Sequence, residues 1–164
     1  MPDDSQGEAG ALTPLDPDQV KVLTIRTGLL AAVLTLAAFL VDRGLAGELP
    51  LPPLHLTAAV LALGVAATLL LPRRRYRRWS YREGEDELEI RRGMLVRVRT
   101  IVPFGRVQHI DVAQGPVQRN FGLATLILHT AGTQSAAVAL PGLRHAGAEA
   151  MRDRIRVKIR QDLV

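Results

Sequence analysis

The sequence predicts two architectures in series: a membrane-spanning α-helical hairpin, then an α+β domain in which antiparallel strands are capped by a C-terminal helix. Three observations predict this. Two stretches near the N-terminus, residues 27–41 and 54–71, contain no Asp, Glu, Lys or Arg. The second runs directly into Arg73, Arg74, Arg75, Tyr76, Arg77 and Arg78. Beyond Trp79 the apolar period changes from helical to alternating, and it turns helical again near the C-terminus.

An α-helix rises about 1.5 Å per residue and must cross about 30 Å of hydrocarbon, so roughly 20 apolar residues are needed. The second stretch meets this: residues 49–71 are free of charge, although Pro50, Pro52 and Pro53 delay the helix, giving a span of about 51–71. Proline is tolerated in a first helical turn. The first stretch has only 15 residues between Arg26 and Asp42, and reaches spanning length as 22–41 if Arg26 snorkels to the headgroups. A buried soluble hairpin and a cleaved signal peptide are the alternatives. The acidic tail ahead of the first stretch, with no basic n-region, disfavours the latter.

Orientation follows from the basic residues at the span ends. Lys21, Arg26, Arg73, Arg74, Arg75, Arg77 and Arg78 flank one side, and the connecting segment offers only Arg43. Seven against one assigns both termini to the cytoplasm. The expected organisation is therefore a disordered acidic tail (1–20), two transmembrane helices with a short external loop (21–72), and a cytoplasmic domain (73–164).

The net charge of +5 conceals an asymmetry: residues 1–20 carry five acids and no base, whereas residues 73–164 carry 18 bases against nine acids. A basic domain tethered beside an anionic leaflet is drawn to it by about 1 kcal/mol per Lys or Arg at the surface. Membrane lipid is the expected counter-charge, and no nucleic-acid partner is expected. The single Trp, Trp79, and both Tyr, Tyr76 and Tyr81, crowd the membrane exit like an interfacial belt rather than spreading over a sheet. The tentative membrane-surface residues are Arg73, Arg74, Arg75, Arg77, Arg78 and Trp79, with Arg152, Arg156 and Arg160 on the last helix. The absence of Cys excludes disulfides, thiolate nucleophiles and Cys-ligated metals. Arg outnumbers Lys 19 to two, a hint of a GC-rich bacterial genome.

Leu88 and Ile90 point one way in the first alternating segment, with Glu87, Glu89 and Arg91 the other. Gly93 permits a tight turn, and Met94, Val96 and Val98 alternate with Arg97 and Arg99 in an expected returning strand. Further strands are expected at 108–112, 124–130 and 136–140. Between them Gly115 and Pro116 force a turn, a short capped segment follows, and Phe121 is expected to fill the core. Ala148, Met151, Ile155, Ile159 and Leu163 form one stripe of a final helix whose other face carries Arg152, Arg156 and Arg160. Strands capped by one terminal helix outline a pleckstrin-homology-like (PH-like) antiparallel barrel or sandwich.

Residues 102–116 (VPFGRVQHIDVAQGP), 119–125 (RNFGLAT), 129–132 (HTAG) and 140–143 (LPGL) resemble the YdbS-like bacterial PH-domain membrane proteins. The resemblance covers residues 23–159, including the paired helices. Phe104-Gly105 departs from the Leu-Ser type of pair expected after the proline, which bears on a local turn. The resemblance implies a cytoplasmic PH-like fold and, as partner, a larger membrane protein with several copies of the domain. It brings no reaction, cofactor or ligand with it.

The function expected is that of a non-catalytic interaction module in the bacterial inner membrane, with anionic-lipid binding as the alternative and a membrane hydrolase as the third class. His109 and Asp111 share a strand face, and His129 lies across from them if the strands pair in register. No Ser, Cys or further carboxylate stands at a motif spacing, so neither catalysis nor a metal is expected there. His55, at the start of the second span, is read as interfacial rather than as a proton relay. Glu83, Glu85, Asp86 and Glu87 around Gly84 put four carboxylates in the domain's first turn and argue against phosphoinositide binding there. They are read as a solvated turn or a docking surface for a basic partner. No phosphate-cradling glycine motif is present.

Overall fold

The computed structural model describes residues 12–44, 54–94, 96–131 and 137–161. The chain divides into two compact units, one of Val20–Arg74 and one joining Met1–Gln19 to Arg75–Val164.

The first unit consists of helices α1 (Gln19–Gly44) and α2 (His55–Tyr76). At 26 and 22 residues they run to about 39 and 33 Å, enough to span. The expected first span lies within α1. The expected onset of the second, at 51, falls outside the described residues, and α2 is helical from His55. The helices approach through small residues: a Cβ on Gly64 would stand 2.9 Å from the Ala31 Cβ, and one on Gly28 would stand 3.6 Å from the Thr68 methyl. Asp42 accepts hydrogen bonds from the backbone N–H and hydroxyl of Thr57 at 2.8 and 2.7 Å, satisfying a donor of the first α2 turn. The hydroxyls of Thr24, Thr27, Thr35 and Thr68 each donate to the carbonyl four residues back, so none of them faces hydrocarbon unpaired. Large apolar side chains stay outside, with Leu63 71%, Leu69 65% and Val33 64% exposed. Such a surface suits hydrocarbon and not water.

In the second unit, strands β1 (Thr13–Pro14), β2 (Ser80–Glu83), β3 (Glu87–Arg92) and β4 (Val98–Pro103) form one antiparallel sheet in that order. Strands β5 (Val107–Ala113), β6 (Leu123–Thr130) and β7 (Ala137–Arg144) form a second antiparallel sheet. A short helix, α3 (Pro116–Asn120), links β5 to β6, and α4 (His145–Gln161) ends the described chain. The sheets do not close into a barrel, so the expected barrel or sandwich resolves to a sandwich.

Alternation explains the core. Leu88 and Ile90 from β3, Leu126 and Leu128 from β6 and Leu140 from β7 are all almost fully buried, together with Ala148, Met151 and Ile155 of α4. The predicted apolar stripe of α4 is therefore its packing face, with Ile159 partly buried against the same core and Leu163 outside the described residues. Burial of this kind stabilises by about 25 cal/mol for each Å² of apolar surface.

Three expectations need correction. The tail 1–20 is not disordered throughout: Thr13 and Pro14 pair with Tyr81 and Ser80, and Leu15 is buried in the core. Asp16 and Asp18 pair with Arg144 at 2.6 and 2.8 Å. Second, the returning strand begins at Val98, not at Met94, because Arg92 already pairs with Val98. Gly93 turns the chain at φ +126°, where a Cβ would run into the Val96 carbonyl. Third, the fully buried phenylalanine is Phe104, whereas Phe121 is half-buried beside α3. Strand β7, expected at 136–140, also runs on through Pro141 to Arg144, which an edge strand tolerates.

Candidate functional site

On the outward face of the first sheet, Glu89 sits at the centre of a cross-strand cluster. Arg82 stands opposite it on β2, and Arg91 and Arg99 face each other on β3 and β4. All three guanidiniums reach the Glu89 carboxylate at 2.6 Å. Glu89 is 1% exposed because guanidiniums cover it, not because it enters the hydrocarbon core. Burial pushes its carboxyl up, but the hydrogen bonds and charges of Arg91 and Arg99 outweigh this and hold it below the ordinary glutamate value.

Beside this cluster opens a cleft of about 650 Å³ lined by Arg77, Arg78, Arg91, Arg92, Arg97 and Arg99, with Ser80, Gly93 and Val98. Six arginines line it, two of them (Arg91 and Arg99) bound to Glu89, and no carboxylate is among its described lining residues. Guanidinium forks match phosphate oxygens bidentately, so the cleft suits an anion with several oxygens. The link next to it exposes apolar side chains, Met94 at 40% and Val96 at 72%. Exposed apolar residues flanked by arginines are what an interfacial membrane contact combines.

The tentative surface residues separate into groups. Arg73, Arg74 and Arg75 are exposed on the last turn of α2. Arg77 and Arg78 enter the cleft, where they meet Arg91, Arg92, Arg97 and Arg99, which the sequence reading did not gather. A signal was available: four arginines within 91–99, at both ends of one glycine turn. Trp79 is half-buried against the core with the Arg92 guanidinium over its ring at 5.9 Å, and Tyr76 donates its hydroxyl to the Leu15 carbonyl at 2.9 Å. These aromatics pack partly buried against the core of the domain. Arg152 and Arg156 line a different groove of about 440 Å³ with Gln108, His109, Ile110 and Ile159. The Arg160 side chain lies outside the described residues.

The acidic first turn has a partner within the chain. Glu83 accepts from Nε and Nη2 of Arg154 on α4 at 3.0 and 2.7 Å, and Lys158 donates to the Gly84 carbonyl at 2.8 Å. The turn thus braces α4 across the domain. On the second sheet His109 stands directly opposite His129, their rings stacked 3.9 Å apart, and Asp111 lies within 3.0 Å of His129 and 3.8 Å of His109. The three residues weighed together in the sequence do meet on one face.

Among known proteins, the chain is similar to the UPF0699 transmembrane protein YdbS of Bacillus subtilis (strain 168), at 39% identity over 98 residues. That match takes in 59% of this chain and 60% of the relative's length. No solved structure matches at a significant level. The bacterial PH domain family matches residues 27–159, which include most of both apolar helices and nearly all of the sandwich. With two spanning-length helices joined to a PH-like sandwich, and a family match across most of its length, this membrane-anchored chain belongs to the bacterial PH domain family.

Proposed function

We propose that this protein is a non-catalytic docking module of the bacterial inner membrane whose cytoplasmic domain binds the anionic leaflet through its arginine-lined cleft. The observation that carries the reading is the cleft itself: six arginines and, among the described residues, no acid around one opening, starting at the residue that follows α2. Each guanidinium at the surface adds about 1 kcal/mol of attraction to anionic lipid. The exposed Met94 and Val96 supply an apolar contact beside it. A cytoplasmic location for both termini is supported by the basic residues at the span ends and by residues 12–19, which join the same folded unit as residues 75–161 and so must share their side of the bilayer.

The cysteine-free chain allows a direct test. A single cysteine replacing Val96, labelled with an environment-sensitive dye, is compared in nanodiscs of zwitterionic lipid and of lipid with anionic headgroups. Blue-shifted emission only over anionic lipid, reversed by high salt, is expected. Equal emission over both bilayers would sink the reading.

A second reading keeps the module but gives it a protein partner, a larger membrane protein bearing PH-like domains. It is favoured by β4, an edge strand with Val98 and Ile101 39% and 44% exposed, which a partner strand could extend. A photo-crosslinker at Ile101 in living cells tests it. Adducts with a membrane protein support it, and adducts with lipid alone count against it.

A further inference from the structure

We propose that His109, Asp111 and His129 form a binding site for a divalent transition-metal ion of the zinc type. Each residue is placed by strand register. His109 on β5 and His129 on β6 are direct cross-strand partners, and Asp111 is two residues along β5 on the same face. The stacked imidazoles, 11° from parallel, turn the same edge towards Asp111: its Oδ2 lies 3.0 Å from the Nε2 of His129 and 3.8 Å from the Nε2 of His109. One donor atom from each residue falls within 4.8 Å of the others.

These separations are close to those of a ligand set, but the lone pairs of stacked rings run parallel, so one imidazole must swing about its side-chain torsions to converge on an ion. A tetrahedral ion with bonds of about 2.0–2.1 Å holds its ligand atoms roughly 3.4 Å apart, between the two distances observed. A hydrogen bond would account for the His129–Asp111 contact alone. Stacking of the cross-strand pair brings the Nε2 of His109 towards the same oxygen, so three donors stand together on one exposed face.

Two imidazoles and a carboxylate select zinc, nickel or copper over magnesium or calcium, which prefer all-oxygen shells. The side chains of His109, Asp111 and His129 are 61%, 57% and 27% exposed, so an ion can enter, and the fourth position is left to water or a further ligand. Arg152 and Arg156 line the groove that His109 also lines, and their charge opposes a cation there. Affinity must therefore come from directed imidazole bonds, which favours the same metals. The site is separate from the arginine cleft, with which it shares no residue.

The test uses the untagged full chain in detergent, with Co²⁺ as the spectroscopic probe and Zn²⁺ as competitor. One equivalent of Co²⁺ is expected to give the visible bands of tetrahedral ligation, bleached by Zn²⁺. His109→Ala, His129→Ala and Asp111→Asn should each weaken binding by about tenfold or more, since even outer-sphere changes cost a metal site 10–100-fold. The double variant H55A/H145A removes the other two histidines of the chain and should bind as the parent does. Circular dichroism without metal should match across the set. Absence of saturable Co²⁺ binding, binding that survives His129→Ala, or binding lost in H55A/H145A would overturn the proposal.

Discussion

The two outward faces of the domain carry the same geometric device with opposite results. On the first sheet, Glu89 is ringed by Arg82, Arg91 and Arg99, and on the second, Asp111 is approached by His109 and His129. Each is one carboxylate among cross-strand bases. Guanidinium keeps its proton at any relevant pH, so the first cluster holds a surplus of positive charge and its cleft attracts anions. Imidazole is neutral for much of the physiological range and presents a lone pair, so the second can hold a cation. The sign of the ligand is set by which base flanks the acid, and the sheet supplies only the spacing.

The comparison breaks most visibly if the first face does not depend on its free arginines. Replacing Arg77, Arg78, Arg92 and Arg97 by Gln removes four charges from the cleft while sparing the two that bind Glu89. At about 1 kcal/mol each, domain–leaflet association should fall by roughly three orders of magnitude. In the nanodisc assay the dye at residue 96 should then report the same emission over anionic and zwitterionic lipid. Retained contrast would mean that basic residues outside the cleft, not these four, carry docking.

Glu89→Gln sharpens the same face from the inside. It leaves three guanidiniums around a neutral amide and should destabilise the domain by about 2 kcal/mol, read from the fluorescence of the single Trp79 during thermal unfolding. The pH dependence has a definite sign. Because the folded carboxyl is held below the ordinary value, its stabilisation is complete above about pH 4.3 and is lost as the pH falls through the folded pKa. The parent should therefore lose more stability on acidification than the variant, and parallel acid profiles would refute the cluster.

Both faces were only partly legible in the sequence, for a reason of physics. Alternation along β3 and the 3.6-residue stripe of α4 are local periods, and Leu88, Ile90, Met151 and Ile155 sit where they indicate. Cross-strand clusters are not local: Arg82 meets Glu89 and His129 meets His109 through registers set by turns and packing. A motif with fixed spacing cannot contain them. The first strand was hidden for a different reason, since two residues ahead of a membrane helix have no period at all.

That hidden strand tests what keeps the two faces in one body. Residues 13–16 join both sheets: β1 pairs with β2, and the Asp16 N–H donates to the Gly142 carbonyl of β7 at 2.9 Å. Gly142 lies at φ +72°, and a Cβ there would stand 2.8 Å from the Gln19 side chain. Gly142→Ala should therefore cost about 1–2 kcal/mol from the left-handed backbone alone, with Gln19 forced to move as well. An unchanged thermal midpoint would mean that the seam relaxes freely.

The smallest effect is expected at Arg144, whose guanidinium is 56% exposed while it binds Asp16 and Asp18. Solvent-screened pairs contribute little to global stability, so Arg144→Ala should leave the Trp79 midpoint close to that of the parent. Its consequence is local. With the acids released, residues 12–18 should detach more often than the sandwich unfolds, and limited proteolysis should cut there faster at an unchanged midpoint. If cleavage accelerates, the ion pairs hold the strand while the apolar core holds the sheets. If cleavage is unaltered, the burial of Leu15 is sufficient for both, and the two faces are joined by packing alone.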